Sequence, residues 1–139
     1  MRFFFYGTLM DVDLLSAVIG RRVPPTALKP ALLRGFRRLA PNAFPYPIVI
    51  SDKSGSVKGV IIDGITPNEQ KRLIAYEGAG YEMVRVTVQT GTRQVKAYFF
   101  SGVTGEYPQT KKFWSLKEWR KRHKIGAISE ILKEKLRRN

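Results

Sequence analysis

Glycine and proline interrupt this chain so often that it can form only short helices and strands. The 139 residues include 12 Gly and 8 Pro. Gly7 ends the first apolar run, three prolines break residues 24–30, and three more stiffen residues 41–47. Glycine adopts turn conformations that other residues avoid, and proline cannot donate to a helix or a sheet ladder. Each of these clusters therefore predicts a break between elements.

Apolar runs between the breaks predict about six strands. The pattern is a continuous aromatic run at the start and a clear alternation of valine with polar residues later in the chain. The expected strands are residues 2–6, 31–39 with a bend at Gly35, 48–50, 57–63, 84–88 and 95–100. Turns are expected at residues 52–55 and 90–92, where glycine stands among polar residues.

Capping signals predict three or four short helices. Asp11 can cap a helix that stops at Gly20. Thr66 and Glu69 form a capping box, with proline at the first helical position, for a helix that ends at Gly78. Ser115 begins a second capping box, and an apolar stripe follows on a basic C-terminal helix, formed by Ile128, Ile131, Leu132 and Leu136. The count predicts an α+β fold with a mixed, strongly curved sheet or small barrel.

Composition excludes several kinds of site and segment. The chain has no cysteine, which rules out disulfides, thiolate nucleophiles and cysteine-based metal centres. His123 is the only histidine and stands among cationic residues, and no glycine-rich phosphate-binding motif occurs. We therefore expect no metal and no cofactor. Because no apolar run approaches the roughly 18 residues of a membrane span, a cytoplasmic protein without a membrane segment is expected.

Positive charge is concentrated near the C-terminus. The formal net charge is +14, and residues 106–139 hold 11 Lys or Arg against four Asp or Glu. Such a surface attracts anionic partners, nucleic acid among them. The alternative is an amphipathic helical cap, with Trp114 and Trp119 packed on the domain and the cations in water. We favour the cap, because the aromatic residues cluster at one helix start.

Glu77 is the leading candidate for a catalytic residue. A helix that begins at Thr66 and ends beside Gly78 places the Glu77 carboxylate at the negative end of the helix dipole. There the ionised form is disfavoured, so the pKa of the carboxyl is expected to rise, which suits a general acid and base. The alternative is a solvated glutamate beside a glycine cap.

The turn made of Tyr6, Gly7, Thr8 and Leu9, here called loop 6–9, is a candidate anion or oxyanion site. It follows a strand and leads toward a helix, so its backbone N–H groups can point outward unpaired. Gly7 would let a ligand approach the backbone closely. The alternative is an ordinary strand-to-helix turn.

Other polar side chains are secondary candidates. Tyr81 and Tyr98 could each offer a hydroxyl to a pocket, although aromatic residues in strands more often pack in the core. Arg34, Arg37 and Arg38 could pair with a substrate carboxylate, whose geometry a guanidinium matches. The alternative for the arginines is a solvated strand face, which we favour.

Five short motifs stand in a recognisable order along residues 2–100. They are Tyr6-Gly7-Thr8-Leu9 with Met10-Asp11, Leu33 to Arg38, Tyr46-Pro47-Ile48, Val57-Lys58-Gly59-Val60, and Tyr76-Glu77-Gly78 followed by Tyr81 and Val86-x-Val88. In this order they resemble the gamma-glutamylcyclotransferase-like family, and within it the AIG2-like branch and the gamma-glutamylamine cyclotransferases. One departure is Met83, which stands where many relatives have an arginine two residues after the tyrosine.

The resemblance implies a compact α/β barrel-like fold with short helices around a central cavity, over residues 1–105. Residues 106–139 would then be a basic helical extension packed on that domain. It also implies that loop 6–9 holds the gamma-glutamyl group of a small-molecule substrate, that Glu77 is the general acid/base, and that Tyr81 contacts the substrate. The reaction implied is the release of 5-oxoproline and a free amine from a gamma-glutamyl amine or amino acid.

Two alternatives to this function stay open at the level of sequence. One is a non-catalytic binding protein of the same fold, whose basic C-terminal helix binds nucleic acid or an acidic partner. The other is the same chemistry on a peptide, polyamine or antibiotic conjugate, because the leaving group lies outside the motifs. The oligomeric state is equally open.

Overall fold

Five strands close into a barrel in the computed structural model, which describes residues 1–39, 47–102 and 114–138. The strands are β1 (Phe3–Phe5), β2 (Lys29–Leu39), β3 (Ile48–Ile62), β4 (Tyr81–Thr90) and β5 (Arg93–Gly102). Their order around the barrel is β1-β3-β2-β4-β5. The β1–β5 pair is parallel and the other pairs are antiparallel. This closed, mixed barrel confirms the predicted fold class.

Four α-helices accompany the barrel: α1 (Val12–Ile19), α2 (Pro67–Glu77), α3 (Leu116–Arg122) and α4 (Lys124–Arg138). The predicted caps at Asp11 and Thr66 are confirmed, whereas only half of the capping box predicted at Ser115 is present, because the Ser115 hydroxyl accepts the Glu118 N–H. The Asp11 carboxylate accepts the backbone N–H groups of residues 13 and 14, and Gly20 ends α1 in the left-handed conformation. Thr66 and Glu69 form the reciprocal capping box at the start of α2. These contacts satisfy N–H groups that a helix cannot bond internally.

The apolar residues form two clusters, one on each side of the sheet. Inside the barrel, alternate strand residues such as Phe4, Leu33 and Phe99 pack together. On the outer face, Phe3 and Phe5 pack against the helices. Because β1 is covered on both faces, all of its residues are apolar, as expected for a strand without a solvent face. Tyr6 continues the alternation and belongs to the cluster inside the barrel.

The two strands predicted at residues 48–50 and 57–63 are one strand, β3, so the predicted turn between them was wrong. Both halves of β3 pair with β2, and the register jumps between them: Arg34 lies opposite Ser56, whereas Phe36 lies opposite Ser51. Residues 52–55 bulge out opposite Gly35, whose φ of 87° is easily adopted by glycine. The residues that predicted a turn make a hydrogen bond within the bulge instead, in which the Asp52 carboxylate accepts the Ser54 N–H.

The helices after residue 114 pack on the rest of the fold. Trp119 in α3 is 2% exposed and belongs to the outer cluster. Arg120 and Lys124 form ion pairs of 2.7 and 3.0 Å with Asp11, the buried cap of α1. Only half of the predicted apolar stripe on α4 is packed. Ile128 and Ile131 are half-buried against the outer cluster, whereas Leu132 and Leu136 are exposed.

Some predicted features lie outside the described residues. They are the loop at 41–47 except Pro47, and the first part of the basic extension, residues 106–113. The predicted boundary between residues 105 and 106 also falls there and stays a prediction. None of the helices within the described ranges is both long and apolar enough to cross a membrane.

Candidate active site

Helix α2 ends at Glu77, as the sequence predicts. Gly78 follows as the cap, with φ 79° and ψ −171°, a backbone conformation that is essentially restricted to glycine. Nothing lies within 4 Å of the place that a Cβ on Gly78 would occupy. Backbone conformation, and not lack of space, therefore requires glycine here, and the sharp exit of the chain sets where the helix ends.

Loop 6–9 continues directly from β1 into a single 3-10 turn. The Met10 N–H donates to the carbonyl of Gly7, and the Asp11 N–H donates to that of Thr8, each at 3.0 Å. Within the described residues, the backbone N–H groups of Thr8 and Leu9 donate no hydrogen bond. The loop therefore offers two open donors, as the sequence suggested.

Gly7 is required by packing. A Cβ at this position would lie 2.9 Å from Cγ of Pro47, closer than side-chain carbons approach. The Tyr81 hydroxyl donates to the Pro47 carbonyl at 3.0 Å, which holds the proline against the loop. Tyr81 therefore acts on the loop through Pro47 in this structure.

Glu77, loop 6–9 and Tyr81 meet at one recess, here called the site recess. The structure thus brings together the six residues to which the family resemblance assigns a role in the site. The described lining consists of Phe4, Phe5, Tyr6, Gly7, Thr8, Leu9, Pro47, Glu77, Tyr81 and Phe100. The carboxylate of Glu77 is the only charged group in this described lining.

The side chain of Glu77 is half-buried. Within the described residues, the carboxylate has no hydrogen-bond donor and no cation as a partner. Burial raises the pKa of Glu77 to about 8. The direction of this shift was expected from the helix dipole, but its cause is desolvation, which depends on the residues packed around the carboxyl.

Tyr76 is a contact that the sequence analysis did not assign. Its hydroxyl shares a hydrogen bond of 2.8 Å with Oγ1 of Thr8, which is 68 positions away in the sequence. The bond ties the last turn of α2 to loop 6–9 beside Glu77. The signal was present, because Tyr76 stands next to Glu77 in the Tyr-Glu-Gly motif. The sequence could not show which way the Tyr76 side chain points from the helix, because its partner, Thr8, is distant in the sequence.

The remaining candidates lie outside the described lining of the site recess. The Tyr98 ring packs on Phe3, with centroids 5.8 Å apart, among the outer cluster. His123 is exposed at the end of α3. In the part of the chain that the structure describes, no group of three histidine, aspartate or glutamate side chains is arranged to hold a metal ion.

Both the sequence and the fold match known proteins. Residues 3–121 match the family model described as gamma-glutamyl cyclotransferase, AIG2-like. Protein AIG2 C of Arabidopsis thaliana is 33% identical over 122 residues, which are 86% of this chain and 72% of that protein. A solution structure from Arabidopsis thaliana has a TM-score of 0.70 at 28% identity, covering 97% of this chain and 81% of the other. A solved gamma-glutamyl cyclotransferase shares the fold, with a TM-score of 0.63 at 13% identity, covering 94% and 85%.

Proposed function

Because the chain belongs to the gamma-glutamyl cyclotransferase, AIG2-like family, we propose that it cyclises the gamma-glutamyl group of a small conjugate. The products are 5-oxoproline and the amine or amino acid to which the group was joined. One observation carries the proposal: Glu77, which is half-buried and has no partner among the described residues, lines the same recess as loop 6–9. A carboxyl in such a place is suited to moving protons, and a surface glutamate is not.

Glu77 is the proton carrier in this mechanism. Its carboxylate accepts a proton from the alpha-ammonium of the substrate, and the freed amine attacks the gamma-carbonyl carbon. The new C–N bond closes the ring of 5-oxoproline, and the bond from the gamma-carbon to the leaving nitrogen breaks. Glu77 returns this proton to the leaving nitrogen. The ring nitrogen also gives up a second proton, which ends on the released amine as its ammonium form, so protons and charge balance without a further reactant. A pKa of about 8 lets the carboxyl both accept and donate a proton near neutral pH.

Loop 6–9 supplies donors for the charge that develops on the gamma-carbonyl oxygen. The open N–H groups of Thr8 and Leu9 are suited to this role, since donors held in place stabilise an oxyanion without reorganisation. The bond between Tyr76 and Thr8 keeps the loop in register with the end of α2. Nucleophile and carbonyl belong to one molecule, so holding the substrate folded contributes much of the acceleration.

The site recess is narrow. Its volume is about 30 Å³, enough for one or two water molecules. A gamma-glutamyl group is larger, so its entry requires the walls to move apart. The Tyr81 bond to Pro47 joins two sides of the recess, and we propose that substrate binding displaces or loosens this contact.

The direct test is to incubate the protein with gamma-glutamyl amines and gamma-glutamyl amino acids and to measure 5-oxoproline. Glu77→Gln keeps the shape of the side chain and removes its proton transfer, so kcat should fall by about 10²- to 10⁴-fold. Glu82→Gln is the matched control, because Glu82 is exposed on β4, and it should keep full turnover.

Two results would decide against the proposal. A folded Glu77→Gln protein with unchanged turnover would remove Glu77 from the mechanism. If no conjugate yields 5-oxoproline, the proposed cyclotransferase activity is wrong.

A further inference from the structure

The three arginines of β2 have different environments. Arg34 bonds the amide oxygen of Gln89 at 3.3 Å, and Arg37 pairs with Asp52 at 3.5 Å; both arginines are exposed. Arg38 is half-buried. The solvated strand face that we favoured for all three therefore describes Arg34 and Arg37 and fails for Arg38.

Register places Arg38 on the inner face of the barrel. In the β2–β3 ladder Arg38 lies opposite Val49, which is fully buried in the inner cluster. Phe36, two residues earlier in β2, packs against the same cluster. Residues that lie opposite each other in a ladder, and alternate residues along a strand, share a face of the sheet. Arg38 therefore continues the inner face toward its end. Tyr6 of loop 6–9 belongs to the same inner cluster as Val49, and both Tyr6 and Pro47, which lies two residues before Val49, line the site recess.

The guanidinium of Arg38 is held in place but incompletely satisfied. One Nη donates to the carbonyl of Lys58, and the ring of Trp114 lies 5.9 Å from the guanidinium carbon. The Nε–H is buried and has no acceptor within the described residues, and no carboxylate there pairs with Arg38. Burial lowers the pKa of Arg38 from its usual value. A half-buried cation with a buried, unsatisfied N–H donor is costly unless an anion completes it.

The substrate of the proposed reaction brings the missing anion. A gamma-glutamyl group carries an alpha-carboxylate next to the alpha-ammonium that Glu77 must deprotonate. The described lining of the site recess includes no cation, so this carboxylate would meet only the like charge of ionised Glu77. A guanidinium at this end of the inner face would offset that repulsion, and it binds a carboxylate more strongly in a partly dehydrated site than in water.

We propose that Arg38 binds the alpha-carboxylate of the gamma-glutamyl group, at the side of the site recess formed by Tyr6. The inference rests on the proposed function and adds the group that is recognised and the residue that recognises it. Arg38 thereby selects conjugates that keep a free alpha-carboxylate and does not discriminate between leaving amines.

The test compares two substrates that differ only in the alpha-carboxylate: a gamma-glutamyl amine and the matching gamma-aminobutyryl amine. The wild-type protein should prefer the first in kcat/KM. In Arg38→Gln, kcat/KM for the gamma-glutamyl amine should fall by about 10- to 100-fold, the range expected for a lost hydrogen bond to a charged group. The value for the gamma-aminobutyryl amine should stay nearly unchanged. Arg37→Gln, on the exposed face, should behave as the wild type, and Arg38→Lys should recover part of the preference.

Binding separates this inference from the proposed function. Calorimetry with 5-oxoproline, which keeps the carboxylate, and with 2-pyrrolidone, which lacks it, needs no turnover. Tighter binding of 5-oxoproline that is lost in Arg38→Gln would support the carboxylate site even if no conjugate were cleaved. Equal binding of both lactams by the wild type would overturn the inference, whether or not the variant folds. An unchanged substrate preference in folded Arg38→Gln would overturn it as well.

Discussion

Burial alone gives Glu77 the raised pKa that the proposed proton transfer requires. An ordinary glutamate is ionised at neutral pH and would be a poor donor to a leaving amine. Without a cation or a hydrogen-bond donor nearby among the described residues, the half-buried carboxyl of Glu77 has a pKa of about 8 and is mostly protonated at pH 7. The lack of partners among the described residues, which suits Glu77 to the proposed role, also makes its ionised form unfavourable for folding.

The pH dependence of stability follows from this shift. The pKa of Glu77 is higher in the folded protein than the value of 4.5 for a free side chain, so between these two values the folded protein holds more protons. The contribution of Glu77 to the free energy of unfolding therefore decreases as pH rises from about 4.5 to about 8, and is constant above that. Glu77→Gln cannot ionise and should gain stability relative to the wild type over this range.

Urea unfolding of both proteins at about pH 5 and about pH 9 measures the difference. Glu82→Gln again serves as the control and should show no such trend. If the difference in free energy of unfolding between Glu77→Gln and the wild type is the same at both pH values, the carboxyl of Glu77 is not desolvated.

At the scale of elements, the barrel depends on close contact between β1 and β3. Phe5 lies opposite Val60, and the adjacent residue of β3, Gly59, lies against β1 with no room for a side chain. A Cβ on Gly59 would be 2.3 Å from the carbonyl oxygen of Phe5 and 2.6 Å from the ring of Phe4. Because β1 leads straight into loop 6–9, this contact also sets the position of the loop.

Gly59→Ala should therefore destabilise the protein by more than about 2 kcal/mol, since backbone atoms cannot yield as a flexible side chain can. Gly126→Ala is the matched control. Gly126 is exposed in α4, and no atom lies within 4 Å of the place that its Cβ would take, so alanine should stabilise the helix by about 0.5–1 kcal/mol. Denaturant unfolding should therefore show a lower free energy of unfolding for Gly59→Ala and a higher one for Gly126→Ala. If Gly59→Ala leaves the free energy of unfolding unchanged, β1 and β3 are not in this register.

At the scale of the whole molecule, the C-terminal helices are attached to the segment that follows loop 6–9. Burial alone would raise the pKa of Asp11, but hydrogen bonds from Arg120, from the Leu14 N–H and from Lys124 lower it below its usual value. Asp11 thereby caps α1 and joins it to α3 and α4. We propose that residues 106–139 are an extension that stabilises the domain, and this use of its cations favours the cap over a nucleic-acid surface.

Trp119 provides the test of that role. Trp119→Ala should cost about 3–5 kcal/mol, because a buried aromatic side chain leaves a large cavity. Ile125→Ala, at a position that is 85% exposed, should change stability by less than about 0.5 kcal/mol. Removal of residues 106–139 should destabilise the protein at least as much as Trp119→Ala.

A truncated chain that keeps its stability but loses a salt-sensitive affinity for nucleic acid would instead support the binding-protein alternative. That outcome, together with a small effect of Trp119→Ala, would contradict the structural role of the extension.

Signals that act over a few residues could be predicted from the sequence. The caps at Asp11 and Thr66, the helix stops at Gly20 and Gly78, and the bend at Gly35 all depend on hydrogen bonds or backbone angles of near neighbours. The order of five motifs was also sufficient to identify the family. These features determined the fold class and selected Glu77 and loop 6–9 as the candidate site.

Tertiary structure decided everything that depends on distant partners. The single strand β3 follows from its register with β2, and the side-chain directions of Tyr76 and Arg38 follow from what lies beside them. The pKa of Glu77 belongs to this group too: the sequence determined its place at a helix end, but its value is set by desolvation. Backbone conformation is governed by adjacent residues, whereas the removal of water from a charge requires atoms that only folding brings together.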